Sequence, residues 1–220
     1  DYKVFNADGT FNAITIKDVQ TISKGQDIFD NSSTTTTLTD YRLINGKLVT
    51  EKATSNTVSI DAQDNLTTSN SVTEYKYKLN NGVDYKFGET NVTAGAYLVN
   101  NTITTTSDSY GEDTFGGTHK TASKVEYVYG EINDQLPSWE IIGPGKPIWG
   151  ISEVNNLDAT LTNPDTGESI TFKGSIAIGK DAFGSTYTTT STTVWRIYKN
   201  NKVLTDEVIA TTNGIDISGL

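Results

Sequence analysis

Residues 73 to 89, TEYKYKLNNGVDYKFGE, alternate with period two: Tyr75, Tyr77 and Leu79 before a turn, Val83, Tyr85 and Phe87 after it, with Lys76, Lys78, Asp84 and Lys86 between them. Successive side chains of a strand point to opposite faces, so each half reads as a strand with one apolar face. A three-residue loop Asn80-Asn81-Gly82, with Gly82 in the left-handed region, sets Leu79 opposite Val83, Tyr77 opposite Tyr85 and Tyr75 opposite Phe87. A two-residue loop would set Leu79 against Asp84 and mix the faces.

The same style recurs along the chain. In DYRLINGKLVTE an Asn45-Gly46 turn places Leu43 opposite Leu48 and Tyr41 opposite Thr50. In VWRIYKNNKVLTDEV a turn at Asn200-Asn201 places Tyr198 against Val203 and Ile197 against Leu204. TLTNPDTGESITF carries Pro164 at a turn position and Gly167 where positive φ is wanted, and YKVFNADGTFNAITI has Asp8-Gly9 between two apolar stretches. No window shows an apolar stripe at helical spacing. The expected fold is all-β, an antiparallel, hairpin-rich β-sandwich. Its predicted core is Leu43, Leu48, Tyr75, Tyr77, Leu79, Val83, Tyr85, Phe87, Val125, Tyr127, Ile170, Phe172, Ile197 and Tyr198.

Pro137, Pro144 and Pro147 crowd into LPSWEIIGPGKPIWG, which excludes a central strand there. The stretch is too apolar for a free linker. The organisation therefore reads as a main antiparallel β domain over 1–136, a Pro- and Trp-rich crossover over 137–150, and a smaller β unit over 151–220 that packs on the first or continues the same sandwich. TTSDSYGEDTFGGTHKTAS, polar and without alternation, reads as a long exposed loop or a hairpin tip. No fixed-period repeat of the solenoid kind is visible.

Composition narrows the function. Thr and Asn are abundant, as strands and turns require. A formal net charge of −10 repels phosphate backbones and anionic lipid, and no apolar run is long enough to span a membrane as a helix. The 220 residues contain no Cys and no Met, so the chain reads as a processed mature form or an excised fragment. With the acidic, Thr-rich character this points to an extracellular or cell-surface location.

Catalytic chemistry finds little footing. The single His, His119, lies in GGTHKTAS and reads as an exposed loop residue; there is no Cys nucleophile, G-x-S-x-G elbow or phosphate-binding glycine loop. The chain therefore reads as a non-enzyme. Hard oxygen ligands on a tight loop suit calcium, and DSYGEDTFGG offers Asp108, Glu112 and Asp113 as candidate ligands for it. Trp139 and Trp149, with Glu140 beside the first, could form a stacking platform with an acidic rim for a sugar ring. The clusters STTTTLT, TITTT and STYTTTSTTV read as the solvent faces of strands. Ordered ranks of Thr, suited to ice or a crystalline polysaccharide, would need a regular spacing that the sequence does not display.

The leading expectation is a structural or adhesive surface protein, a subunit or module of a fibre, pilus, surface layer or adhesin. It would associate with itself or with neighbouring subunits, the N-terminal segment of residues 1 to 16 adding as a strand to a neighbour's sheet edge. The second is a carbohydrate-binding module or lectin with glycans as partners. A third is a secreted polysaccharide-active enzyme using two carboxylates, Glu140 among them.

Overall fold

The computed structural model describes residues 15–44, 47–79, 98–132, 148–163, 166–198 and 202–216. They form twelve strands: β1 (Thr15–Gln26), β2 (Ser32–Ile44), β3 (Lys47–Ile60), β4 (Leu66–Leu79), β5 (Leu98–Glu112), β6 (Thr118–Ile132), β7 (Ile148–Asn156), β8 (Asp158–Thr162), β9 (Ser169–Lys173), β10 (Ser175–Lys180), β11 (Thr186–Ile197) and β12 (Val203–Ile215). No helix occurs among the described residues. The expected all-β antiparallel fold is what the chain adopts.

Ten strands make one sheet, in the order β1-β2-β3-β4-β5-β6-β10-β11-β12, with β7 also paired to β6. Along one side of β6, residues 118 to 123 pair with β10 and residues 125 to 132 with β7. The junction is closed by hydrogen bonds from Leu157 N to the Lys124 carbonyl (2.9 Å) and from Gly174 N to the Leu157 carbonyl (3.0 Å). Gly174 has φ 137° and is buried, and a methyl group there would run into the Ser191 carbonyl oxygen, so only glycine fits. Beyond the end of β10, the Asn156 amide donates to the Thr193 carbonyl (2.7 Å) and ties β7 to β11. Residues after 150 thus extend the same sheet through β10, β11 and β12.

The second layer is the β8–β9 ribbon, which packs on β6 and β10. It is amphipathic with period two: Ala159, Leu161, Ile170 and Phe172 turn inward, while Thr160 bonds Thr171 and Thr162 bonds Ser169 on the exposed face. Under it lie Ala122, Ile176 and Ile178, and Ile176 is fully buried. Val49, Leu79 and Ile151 are buried elsewhere.

Sequence and structure agree at the Asn45-Gly46 hairpin, where Leu43 pairs with Leu48 and Tyr41 with Thr50. Gly167 has the expected positive φ of 73°. One expected pairing and one expected core position need correction. Ile197 faces Val203, not Leu204, because Tyr198 N bonds the Lys202 carbonyl and leaves three residues in the loop instead of two. Leu48 is 51% exposed; Val49, one residue on and on the other face, is buried. Val83, Tyr85, Phe87 and the rest of 80–97 lie outside the described residues, as do Asp8-Gly9 and 133–147. Within the described residues Leu79 pairs with Leu98 on β5.

Candidate functional site

Four hairpins turn at the same end of the sheet with one backbone pattern, over residues 27–31, 61–65, 113–117 and 181–185. In each, the N–H of an Asp bonds the carbonyl four residues on, and the N–H three residues on bonds the carbonyl of that Asp, at 2.9–3.3 Å. The fourth residue, Asp30, Asp64, Gly116 or Gly184, has φ between 63° and 97°. This is a type I turn followed by a left-handed residue, which Asp and Gly tolerate best. The carboxylate of Asp27, Asp61, Asp113 or Asp181 caps the turn by accepting from backbone N–H groups within it. Adjacent turns are laced together: Asn31 Oδ1 accepts from Ala62 N (2.9 Å), and Asn65 Oδ1 from Thr114 N (3.0 Å).

Hydrogen bonds from Asn31 hold the Asp27 carboxyl below its ordinary pKa of 3.8, and those from Asn65 do the same for Asp61. At Asp181 desolvation is the largest single influence and works against the charge, but the bonds from Ser185, Phe183 and Gly184 together outweigh it and the pKa again falls. The repeat was missed in the sequence because the stretches DIFDN, DAQDN, DTFGG and DAFGS are short and unevenly spaced.

Bulges interrupt pairing at Ile16/Val19, Asp40/Tyr41, Lys76/Tyr77, Val128/Tyr129 and Val194/Trp195, all on the half of the sheet away from these turns. Between the bulge line and the turns the register runs unbroken across nine strands. Two ladders there decide the chemistry of one face. The first runs Ser23, Thr35, Thr57, Ser69, Ser109, Thr121, Ala177, Thr189, Thr212; the second runs Thr21, Thr37, Ser55, Ser71, Ser107, Ser123, Ser175, Ser191, Ala210. Every one of these positions is Ser or Thr except Ala177 and Ala210, and none is charged.

Strand pairing fixes the spacing of this lattice at about 4.8 Å across strands and about 6.7 Å along them, over a width of roughly 38 Å. Neighbouring hydroxyls bond one another: Thr35 with Thr57 (2.9 Å), Thr37 with Ser55 (2.9 Å), Ser109 with Thr121 (2.7 Å) and Thr189 with Thr212 (2.8 Å). The opposite face carries Lys24, Asp40, Lys52, Glu74, Asp108, Lys120 and Lys124, and it also takes the ribbon. The regular spacing absent from the sequence is thus created by strand register.

At the turn end the hydroxyl face is bordered by rings. His119 lies over Gly111 and Tyr187 over Gly179, so that a methyl group on either glycine would run into the ring. His119 is exposed and on β6, not in a loop, and Tyr187 is 40% exposed. Phe29, Phe115 and Phe183 occupy the third position of three turns and are 69%, 83% and 79% exposed.

The residues singled out from sequence are placed as follows. Asp108 is on β5, where its carboxylate accepts from the Asn70 amide (2.9 Å); Glu112 accepts from the Tyr110 hydroxyl (3.0 Å); and Asp113 caps its turn. Among the described residues no three His, Asp or Glu side chains come together as a metal ligand set. Trp149, on β7, is half-buried, donates its indole N–H to the Asn100 carbonyl (2.9 Å), and has the Lys78 ammonium 4.7 Å from its ring centroid. Trp139 and Glu140 lie outside the described residues. Comparison with protein-family models, curated proteins and solved structures finds no match to this chain.

Proposed function

We propose that the protein is an adhesive module of the cell surface or extracellular space that holds an ordered, uncharged polysaccharide against its Ser/Thr face. The observation that carries this reading is the pair of nine-strand ladders with a hydroxyl at all positions but two and a charge at none, in a chain of net charge −10. A face kept only for solubility would share the charged residues that the other face carries. Lateral bonds such as Thr35 to Thr57 fix hydroxyl orientation before a ligand arrives, which lowers the entropy lost on binding. Each hydroxyl donates and accepts, matching the groups of a neutral glycan. The flat rings of His119 and Tyr187 at its border suit the apolar face of a sugar better than a lattice of water.

The test is depletion of the protein from solution by insoluble neutral polysaccharides such as cellulose, chitin and mannan. The expected result is saturable retention on at least one of them that survives high salt, because no charge is involved. Failure to bind any of them, or retention abolished by salt, would overturn the proposal.

A further inference from the structure

The two edges of the large sheet differ in how they are guarded. On β1, Asp18 has φ 55° within a bulge, its N–H is held by Asp40 Oδ1 (2.9 Å), and Lys17 and Lys24 lie on the same strand. Bulges and lysines are what keep edge strands from pairing with other chains. On β12 the run from Val208 to Ile215 has no charge, no proline and no bulge, and pairs with β11 without interruption. Both of its faces are exposed, Val208 by 55%, Ile209 by 57% and Ile215 by 60%. Among the described residues no strand pairs with its outer side.

We infer that β12 is a self-association edge, joining two copies of the chain by antiparallel β12–β12 pairing about a two-fold axis. Topology favours this over end-to-end growth. The alternation of strands makes β1 and β12 run in the same direction, so a copy related by translation would bring β1 to β12 as a parallel pair, with the bulge and lysines at the contact. A two-fold copy gives the antiparallel pairing, which is the more stable per residue, and buries only the charge-free run. Opposed residues must share a face, and the apolar match then selects the register. Ile209 faces Ile215 of the second copy, Ala210 faces Gly214, and Thr212 faces its own equivalent. Thr212 belongs to the first hydroxyl ladder, so that ladder continues across the two-fold.

Light scattering coupled to size exclusion tests the assembly. The wild-type chain is expected at twice its 23.9 kDa mass, with Ile209→Lys monomeric and Ile22→Lys on β1 still dimeric. Because the chain has no Cys, Thr212→Cys provides a clean second readout: mild oxidation should give a disulfide-linked dimer, and adding Ile209→Lys should prevent it. A monomeric wild type, a dimer that survives Ile209→Lys, or equal cross-linking by Thr21→Cys on β1 would each overturn the inference. These readouts need no glycan, so they stand or fall apart from the adhesive function.

Discussion

Shortening Ile176 should be the most damaging single change to the buried layer. Its side chain is fully buried near the start of β10, between Ala122 on β6 and Thr190 on β11 and beneath the β8–β9 ribbon. Ile176→Ala removes three carbons, worth about 2.4 kcal/mol at roughly 0.8 kcal/mol each. The cavity left behind adds to this, and such truncations cost about 2–5 kcal/mol. A loss near 3 kcal/mol is expected, a large share of the roughly 5–15 kcal/mol that holds a typical domain folded. Ile176→Val should cost about 1 kcal/mol, and Ile22→Ala on the 55% exposed edge strand β1 at most about 0.5 kcal/mol. Urea unfolding followed by circular dichroism measures all three, with the slope unchanged if only stability has moved. If Ile176→Ala cost less than about 1 kcal/mol, or no more than Ile22→Ala, the ribbon would not be seated on β6 and β10 and the packing argument would fail.

Gly174→Ala should destabilise by about 1–3 kcal/mol or more, because φ 137° is closed to alanine and its methyl would strike the Ser191 carbonyl; an unchanged urea midpoint would contradict the junction described here. Burial, and then the charge of neighbouring Tyr75, push the Tyr77 phenol up to about 12, while its hydroxyl donates to the Thr50 carbonyl (2.6 Å). A raised folded-state pKa means that this stabilisation is complete below about pH 10 and is lost as pH rises through 12; Tyr77→Phe should flatten that alkaline fall in stability. At the other extreme, the depressed values of Asp27, Asp61 and Asp181 give stabilisation that is present above pH 3.8 and lost as pH falls through the folded-state values. Asp61→Asn should therefore weaken the dependence of stability on pH below about 4, read from acid titration of the folded fraction.

Local signals carried the strands and some of the turns. Asn45-Gly46 fixed its own register, because two residues that favour positive φ leave a hairpin few alternatives. Asn200-Asn201 specifies less, and the chain adopts a loop one residue longer. Within TTSDSYGEDTFGGTHKTAS the lack of apolar alternation hid two long strands, since a face made of Ser and Thr gives no hydrophobic period to detect. Ile176 was missed because SIAIGK is short, and its burial depends on a ribbon built from residues 158 to 173. The hydroxyl lattice was least legible of all. Of its residues only Thr35, Thr37, Thr189 and Ser191 fall within the Thr clusters; the alignment is set by eight separate strand pairings, and only the assembled sheet brings Ser23 and Thr212 onto one line.

The adhesive reading rests on the difference between the two faces, and one comparison addresses that directly. Thr57→Lys with Thr121→Lys places two long cations in the first hydroxyl ladder, and Thr34→Lys with Thr68→Lys places two on the opposite face, on β2 and β4, the strands flanking β3. Binding isotherms on the polysaccharide that retains the wild-type chain should weaken about tenfold or more for the first pair, a change of about 1.4 kcal/mol, and stay unchanged for the second. Equal weakening by both pairs, or by neither, would contradict the assignment of the Ser/Thr face as the binding surface.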